Sequence, residues 1–280
     1  MDDTIISSMQ NPKLKRLMTL QRKSSERKSS GLFVVEGLRE MEHCLAAGYE
    51  IETAFYCTAK MEVTTRKAFK NNPLANLPNG NAPHFTWVQV TPEVYEKIAY
   101  RGSTEGVVAI VKSKTKTLKD LELSEKPLIV VLEGVEKPGN LGAILRSADA
   151  VNVDAVIVCD PLTDLYNPNL IRSSVGAAFS VPCVTCTTKE CIQFLQDRDI
   201  HILTAQLQDS ELYYNTDMRG PTAIVMGTEA TGLTRAWRKA ADAHIRIPML
   251  GKIDSLNVSV STAVLLYEAV RQRKRGFTLD

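Results

Sequence analysis

Two stretches in the last third of the chain combine residue types able to hold a small polar molecule. Val225-Met226-Gly227-Thr228-Glu229-Ala230-Thr231-Gly232-Leu233 is an apolar run entering a Gly-rich turn that carries one carboxylate. Ile247-Pro248-Met249-Leu250-Gly251-Lys252-Ile253-Asp254-Ser255-Leu256-Asn257-Val258-Ser259 is a second run that enters a polar loop ending at a helix. Glycines let backbone approach a ligand closely, and in open α/β sheets ligands sit outside the carboxyl ends of strands. A third stretch, Gly134 to Gly142, supplies Asn140 and Gly142. The helix expected from about Ala143 then carries Arg146 near its first turn, where the macrodipole disfavours a cation. Either a ligand holds that guanidinium there, or Arg146 pairs with Glu133 or Asp149. Gly139-x-x-Gly142, with Asp160 about 20 positions on, outlines a dinucleotide site without its full Gly-x-Gly-x-x-Gly fingerprint. A nicotinamide-dependent oxidoreductase is therefore the alternative reading of this loop.

Strands and helices must alternate to present these turns together. Leu128 to Glu133 is a continuous apolar run, which suits a strand buried on both faces of a parallel sheet. Further strands are expected at Ala155–Cys159, Val181–Cys186, Ile200–Ala205, Thr222–Met226 and Ala243–Ile247, with helices between most of them, which makes the region α/β. Upstream, Leu32–Gly37, Ile51–Cys57, Phe85–Val90 and Val107–Val111 read as strands of a smaller α/β unit, with a helix at Leu38–Ala47. The Asn-, Pro- and Gly-rich stretch from Lys70 to Pro83 reads as a loop. Residues 113–127 have linker composition, so the chain divides into 1–112, a linker, and 128–280.

The formal net charge is only +2 over 280 residues, but its distribution is uneven. Lys13, Lys15, Arg16, Arg22, Lys23, Arg27 and Lys28 crowd one segment against Glu26 alone. Leu14, Leu17 and Leu20 fall at helical spacing there, giving an amphipathic helix with a basic face. That face is either solvated surface or a phosphate-backbone contact, with Lys13, Arg16, Arg22 and Lys23 the candidates. Hydrophobic content of 44% and charged content of 24% suit a soluble globular chain. No apolar run reaches the roughly 18 residues of a membrane span, and the start at Met1-Asp2-Asp3-Thr4 has no signal-peptide features. A cytoplasmic protein with six free thiols and no membrane partner is expected. Cys183, Cys186 and Cys191 lack a second Cys-x-x-Cys to complete four ligands, and no metal is expected.

Asn140-x-Gly142 with Arg146, Gly227-Thr228-Glu229 with Gly232-Leu233, and Ile247-Pro248 with Ser255-Leu256-Asn257-Val258-Ser259 resemble the three motifs of SpoU/TrmH-type RNA 2′-O-methyltransferases. The likeness covers roughly residues 128–275. Thr228 stands where the family often has Asn or Ser, and Ser261-Thr262 where a small apolar residue is usual. Ser8-Met9-Gln10-Asn11-Pro12-Lys13 and Phe33-Val34-Val35-Glu36-Gly37 resemble the ribosomal-protein-like substrate-binding domain of the ribosomal-RNA branch. The resemblance implies a parallel-sheet catalytic domain with a C-terminal trefoil knot that binds S-adenosylmethionine, preceded by a small α/β RNA-binding domain. Gly227, Ile247 and Leu256 would contact the cofactor. Arg146 would act on the ribose hydroxyl, with Asn140, Glu229, Ser255 and Asn257 arranging the site and Arg172 touching RNA. It further implies a homodimer, for which the helix from about Val258 to Arg273 is a candidate interface, and a substrate that is ribosomal or else transfer RNA. A non-catalytic RNA-binding protein of the same fold is a third reading, disfavoured by the retained Asn140, Arg146, Glu229 and Asn257.

Overall fold

The computed structural model describes residues 5–61, 85–100, 105–228 and 231–273. The expected loop from Lys70 to Pro83, the N-terminal Met1–Thr4 and Glu229 lie outside the described residues. The chain forms two compact units, one of Met1–Thr115 with Leu165–Phe179 and the other of Lys116–Asp164 with Ser180–Asp280.

In the first unit, Pro at the first helical position and an Asn11 side chain accepting from the Lys13 amide start α1 (Pro12–Arg22). Its Leu14, Leu17 and Leu20 are fully buried, as their spacing requires. A short α2 (Ser24–Ser30) follows, ended by Gly31 in the left-handed conformation. The strands β1 (Leu32–Glu36), β2 (Ile51–Tyr56), β3 (Thr86–Gln89) and β4 (Val107–Lys112) make a sheet of order β1-β4-β2-β3. β4 runs antiparallel to β1 and β2, and β3 parallel to β2. α3 (Leu38–Ala46) and α4 (Pro92–Ile98) complete this unit's N-terminal part.

One excursion departs from the expected division at 1–112 and 128–280. Leu165–Phe179, which holds α6 (Pro168–Ser174) and most of α7 (Ala177–Ser180), belongs to the first unit. Its apolar side chains account for this: Tyr166 stacks on Phe33 with centroids 4.3 Å apart, and Ile171 and Phe179 enter the core beside Phe33, Val35 and Met41. The expected linker also differs. Residues from Lys116 onward belong to the second unit, where Leu118, Leu121 and Leu123 pack against its core and a Thr117–Asp120 capping box shapes a short 3-10 turn.

The second unit is one seven-stranded sheet of order β7-β6-β5-β10-β8-β11-β9. Its strands are β5 (Leu128–Glu133), β6 (Ala155–Cys159), β7 (Cys183–Cys186), β8 (His201–Ala205), β9 (Glu211–Leu212), β10 (Thr222–Met226) and β11 (Ala243–Arg246), and every pairing is parallel. Burial of every residue of β5, β6 and β10 explains their unbroken apolar runs. The helices are α5 (Pro138–Ala150), α8 (Thr188–Gln196), α9 (Arg235–Ala240) and α10 (Val258–Arg273). α10 packs on α5 and β10. Its last turn is fixed from the side: Gln272 bonds the Met218 amide and the Thr216 carbonyl, while the Arg273 guanidinium donates to the carbonyls of Met218, Lys126, Pro127 and Gly220.

Candidate active site

The connections leaving β8, β10 and β11 enclose a cavity of about 380 Å³ at the carboxyl ends of those strands, within the usual range of about 300–1,000 Å³ for small-molecule sites. Gly227, Ile247, Ser255 and Leu256 all line it. Gly227 is a glycine because of backbone, not only because of ligand: a Cβ there would stand 2.4 Å from the Gly232 carbonyl carbon and 2.7 Å from the Leu233 nitrogen. That approach is fastened by the Gly232 amide donating to the Thr228 carbonyl and by the Thr231 amide donating to Thr228 Oγ1. Thr228, the residue that departs from the family pattern, therefore supplies the side-chain acceptor that holds this turn.

Gln206, the residue after β8, also lines the cavity, and sequence reasoning missed it. Its Nε2 donates to the Gln208 carbonyl, but its Oε1 is buried without a hydrogen-bond partner among the described residues. A buried acceptor left bare costs about 1–3 kcal/mol unless something donates to it. The available signal was a polar residue directly after an apolar strand, at the edge where ligands collect. An apolar wall from Ile247 and Leu256, a backbone cradle at Gly227 and an unmet acceptor at Gln206 fit an adenosyl cofactor, which carries a flat ring system and several N–H and O–H donors.

The first and third motifs meet beside this cavity. Asn257 Nδ2 donates to Asn140 Oδ1 at 3.2 Å, and Asn257 Oδ1 accepts from the Ser259 amide and hydroxyl at the start of α10. Ser255 Oγ donates to Asp254 Oδ1. Neither Asn140 nor Arg146 lines the cavity itself.

The surroundings of Arg146 correct the expectation drawn from the loop. α5 begins at Pro138, so Asn140 and Gly142 are helical and Arg146 lies in the third turn, away from the positive end of the dipole. Proline at the first helical position needs no amide partner and has φ already set, which is why Pro138 opens the helix where it suggested a loop. Neither expected carboxylate pairs with Arg146. Glu133 is buried and accepts from the Thr234 amide, Thr234 Oγ1 and Thr188 Oγ1, while Asp149 accepts from Ser180. Arg146 is exposed and has no hydrogen-bond or ion-pair partner among the described residues. The dinucleotide outline fails too, since Gly139 and Gly142 lie within α5 and Asp160 is occupied by Thr188.

The candidate RNA contacts lie in the first unit. Lys13, Arg16, Arg22 and Lys23 are exposed on or beside α1, but Arg16 is engaged with Glu52 at 2.8 Å. Arg27, counted with the basic run, is buried and donates to the Leu20 carbonyl, so it holds α1 in place. Arg172 belongs to this unit and lies 4.3 Å over the Tyr100 ring, donating to Asn169 Oδ1. On α10, the helix expected at an interface, Leu265 is buried, whereas Val260 and Tyr267 are about half exposed. No helix among the described residues is long and apolar enough to cross a membrane.

Comparison with known proteins agrees with this geometry. The profile of the SpoU rRNA Methylase family matches residues 127–267, and that of the MRM3-like substrate binding domain matches residues 11–109. A relative from Pectobacterium atrosepticum, named 23S rRNA (guanosine-2'-O-)-methyltransferase RlmB, is 39% identical over 175 residues, covering 60% of this chain and 72% of its own. A crystal structure described as an RNA 2'-O ribose methyltransferase superposes with a TM-score of 0.82 at 36% identity, covering 96% of this chain and 99% of that one. An AdoMet-bound rRNA methyltransferase from Sinorhizobium meliloti superposes with a TM-score of 0.84 at 27% identity, covering 96% of this chain and 97% of that one. A cavity built by the second and third motifs, joined to the first through Asn140, and matches that span both regions lead to one conclusion: the chain belongs to the SpoU rRNA methylase family.

Proposed function

We propose that this chain is an S-adenosylmethionine-dependent methyltransferase acting on a ribose 2′-hydroxyl of large-subunit ribosomal RNA, with guanosine as the nucleotide named for its relatives. The observation that carries the reading is the cavity lined by Gly227, Ile247 and Leu256 with the bare Gln206 acceptor, next to the Asn140–Asn257 bond. When bound, S-adenosylmethionine supplies an electrophilic methyl group; an O–CH3 bond forms, the S–CH3 bond breaks, and the hydroxyl proton is released.

This chain's residues divide the remaining work. Ile247 and Leu256 flank the adenine and Gly227 lets backbone reach it. Asn257 holds Asn140 and caps α10, so the two motifs keep one geometry, with Ser255 and Glu229 arranging the loops around the ribose. Arg146 is proposed to hold phosphate and orient the hydroxyl. Arg146 is exposed, and its planar guanidinium offers a fork of donors that matches phosphate, so a positioning role suits it. In the first unit, Lys13, Arg22 and Lys23 would position RNA through its phosphates, and Arg16 would join them by exchanging Glu52 for phosphate. Arg172 would present its guanidinium face, already stacked on Tyr100, to the same RNA.

Three finer features belong to the same proposal. A trefoil knot in the C-terminal part of the chain, as the family resemblance implies, is one of them. Exposed Val260 and Tyr267 on α10, with exposed Leu250 and Ile253 on the preceding loop, support a homodimer. A cytoplasmic location belongs to the same reading, since ribosomal RNA is the proposed substrate. The test is transfer of labelled methyl from S-adenosylmethionine into purified 23S rRNA. Wild type should label it and Arg146→Ala should not while keeping cofactor affinity; equal labelling by the variant would remove Arg146 from the site.

A further inference from the structure

Three cysteines meet at the carboxyl ends of β6 and β7, strands that do not line the cavity. Cys159 ends β6, Cys186 ends β7 as its register partner, and Cys191 lies in the first turns of α8. Their Sγ atoms all lie within 4.8 Å of one another. Cys183, which the sequence grouped with Cys186 and Cys191, is not among them, and Cys159 takes its place. Cys159 and Cys191 are fully buried, and Cys186 is half-buried, giving the group one open side. None of the three lines the cofactor cavity, which belongs to the ends of β8, β10 and β11.

The surroundings are built to hold this group rigidly. Glu133, the register partner of Cys159, accepts from Thr188 Oγ1 at 3.1 Å, and Asp160 accepts from the same hydroxyl at 2.7 Å. Thr187 and Glu190 form a reciprocal capping box that fixes the start of α8. Hydrogen-bonded supports of this kind are what keep metal-ligand atoms in place. They also hold the carboxylates of Asp160 and Glu190, one residue from Cys159 and Cys191 respectively, beside α8.

We propose that Cys159, Cys186 and Cys191 form a three-thiolate site for a soft, thiophilic d10 ion of the Cu(I) class. Thiolates select soft ions, Cu(I) and zinc among them, but structural zinc is almost always held by four protein ligands. No fourth Cys, His, Asp or Glu ligand atom joins this group among the described residues. Binding forms three S–Cu bonds, releases the thiol protons to solvent, and leaves the oxidation states of sulfur and metal unchanged. Affinity therefore falls with falling pH.

The test is an anaerobic titration of the reduced full-length protein against Cu(I) held by a coloured bicinchoninate complex. Wild type and Cys183→Ser should each withdraw one Cu(I) per chain and gain a sulfur-to-copper absorption in the near ultraviolet. Cys186→Ala should lose that absorption and bind at least about tenfold more weakly, since losing a direct ligand costs no less than losing a supporting group. Because Cys186 is half-buried, this variant should keep wild-type S-adenosylmethionine affinity, which verifies its fold. Withdrawal of Cu(I) by Cys186→Ala equal to wild type would overturn the site, and zinc bound as tightly as Cu(I) would overturn its three-coordinate character.

Discussion

Substituting Gly227 by Ala adds one methyl group to the rim of the cavity proposed for the cofactor, and the structure fixes what that methyl meets. It would stand 2.4 Å from the Gly232 carbonyl carbon, 2.7 Å from the Gly232 oxygen and 2.7 Å from the Leu233 nitrogen. All three are backbone atoms, so no side chain can rotate aside. Relief requires the turn closed by Thr228 and Gly232 to open, which gives up its bonds at 3.0 and 3.1 Å. Overpacking of this kind costs about 1–3 kcal/mol. In the free protein the turn relaxes outward; on binding it must close again, so the cost emerges as lost affinity. At 1.4 kcal/mol per factor of ten, S-adenosylmethionine should bind about 5- to 140-fold more weakly. Calorimetry measures this directly, with Gly251→Ala as the control, because a Cβ at Gly251 meets nothing within 4 Å. Unchanged affinity in Gly227→Ala, or equal loss in Gly251→Ala, would refute the assignment of Gly227 to a backbone cradle.

Leu256→Arg should weaken cofactor binding without lowering thermal stability, because Leu256 lines the cavity and is only half-buried; calorimetry and a melting curve check both halves. Glu133→Ala removes the acceptor of three hydrogen bonds at the end of β5. It should cost about 1.5–3 kcal/mol and lower Tm by about 3–12 °C, and a Tm within 1 °C of wild type would discount the clamp. Replacing Lys13, Arg22 and Lys23 by Ala should lower RNA affinity and flatten its log-log salt dependence by up to roughly one unit for each phosphate no longer neutralised. Arg16→Ala should change that slope less, since Arg16 already has Glu52 as its partner, and a full salt slope in the triple variant would place RNA elsewhere.

The regular elements were largely legible in the sequence. β5, β6 and β10 fall where their apolar runs predict, because strands buried on both faces carry apolar residues at successive positions. Leu14, Leu17 and Leu20 announced α1 through period alone. What the sequence hid depends on packing between distant residues. Pro138 opens a helix, which carried Asn140 from a loop into a first turn and Arg146 away from the dipole that made it conspicuous. Arg27 looks like its basic neighbours, yet the carbonyls at the end of α1 draw it inside. The aromatic residues of Leu165–Phe179 complete a core begun more than a hundred residues earlier. In the candidate site, Gly227, Ile247 and Leu256 were readable as one set, whereas Gln206 emerged only once its neighbours left its oxygen without a donor. Cys159 was likewise hidden, since only strand register sets it beside Cys186.

The most direct test of the account is a map of 2′-O-methyl groups in ribosomal RNA from cells with the gene, without it, and with the Arg146→Ala form restored. One ribose methyl in the large-subunit RNA should disappear without the gene, return with the wild-type chain, and stay absent with Arg146→Ala. A large-subunit methylation pattern identical in all three would contradict it.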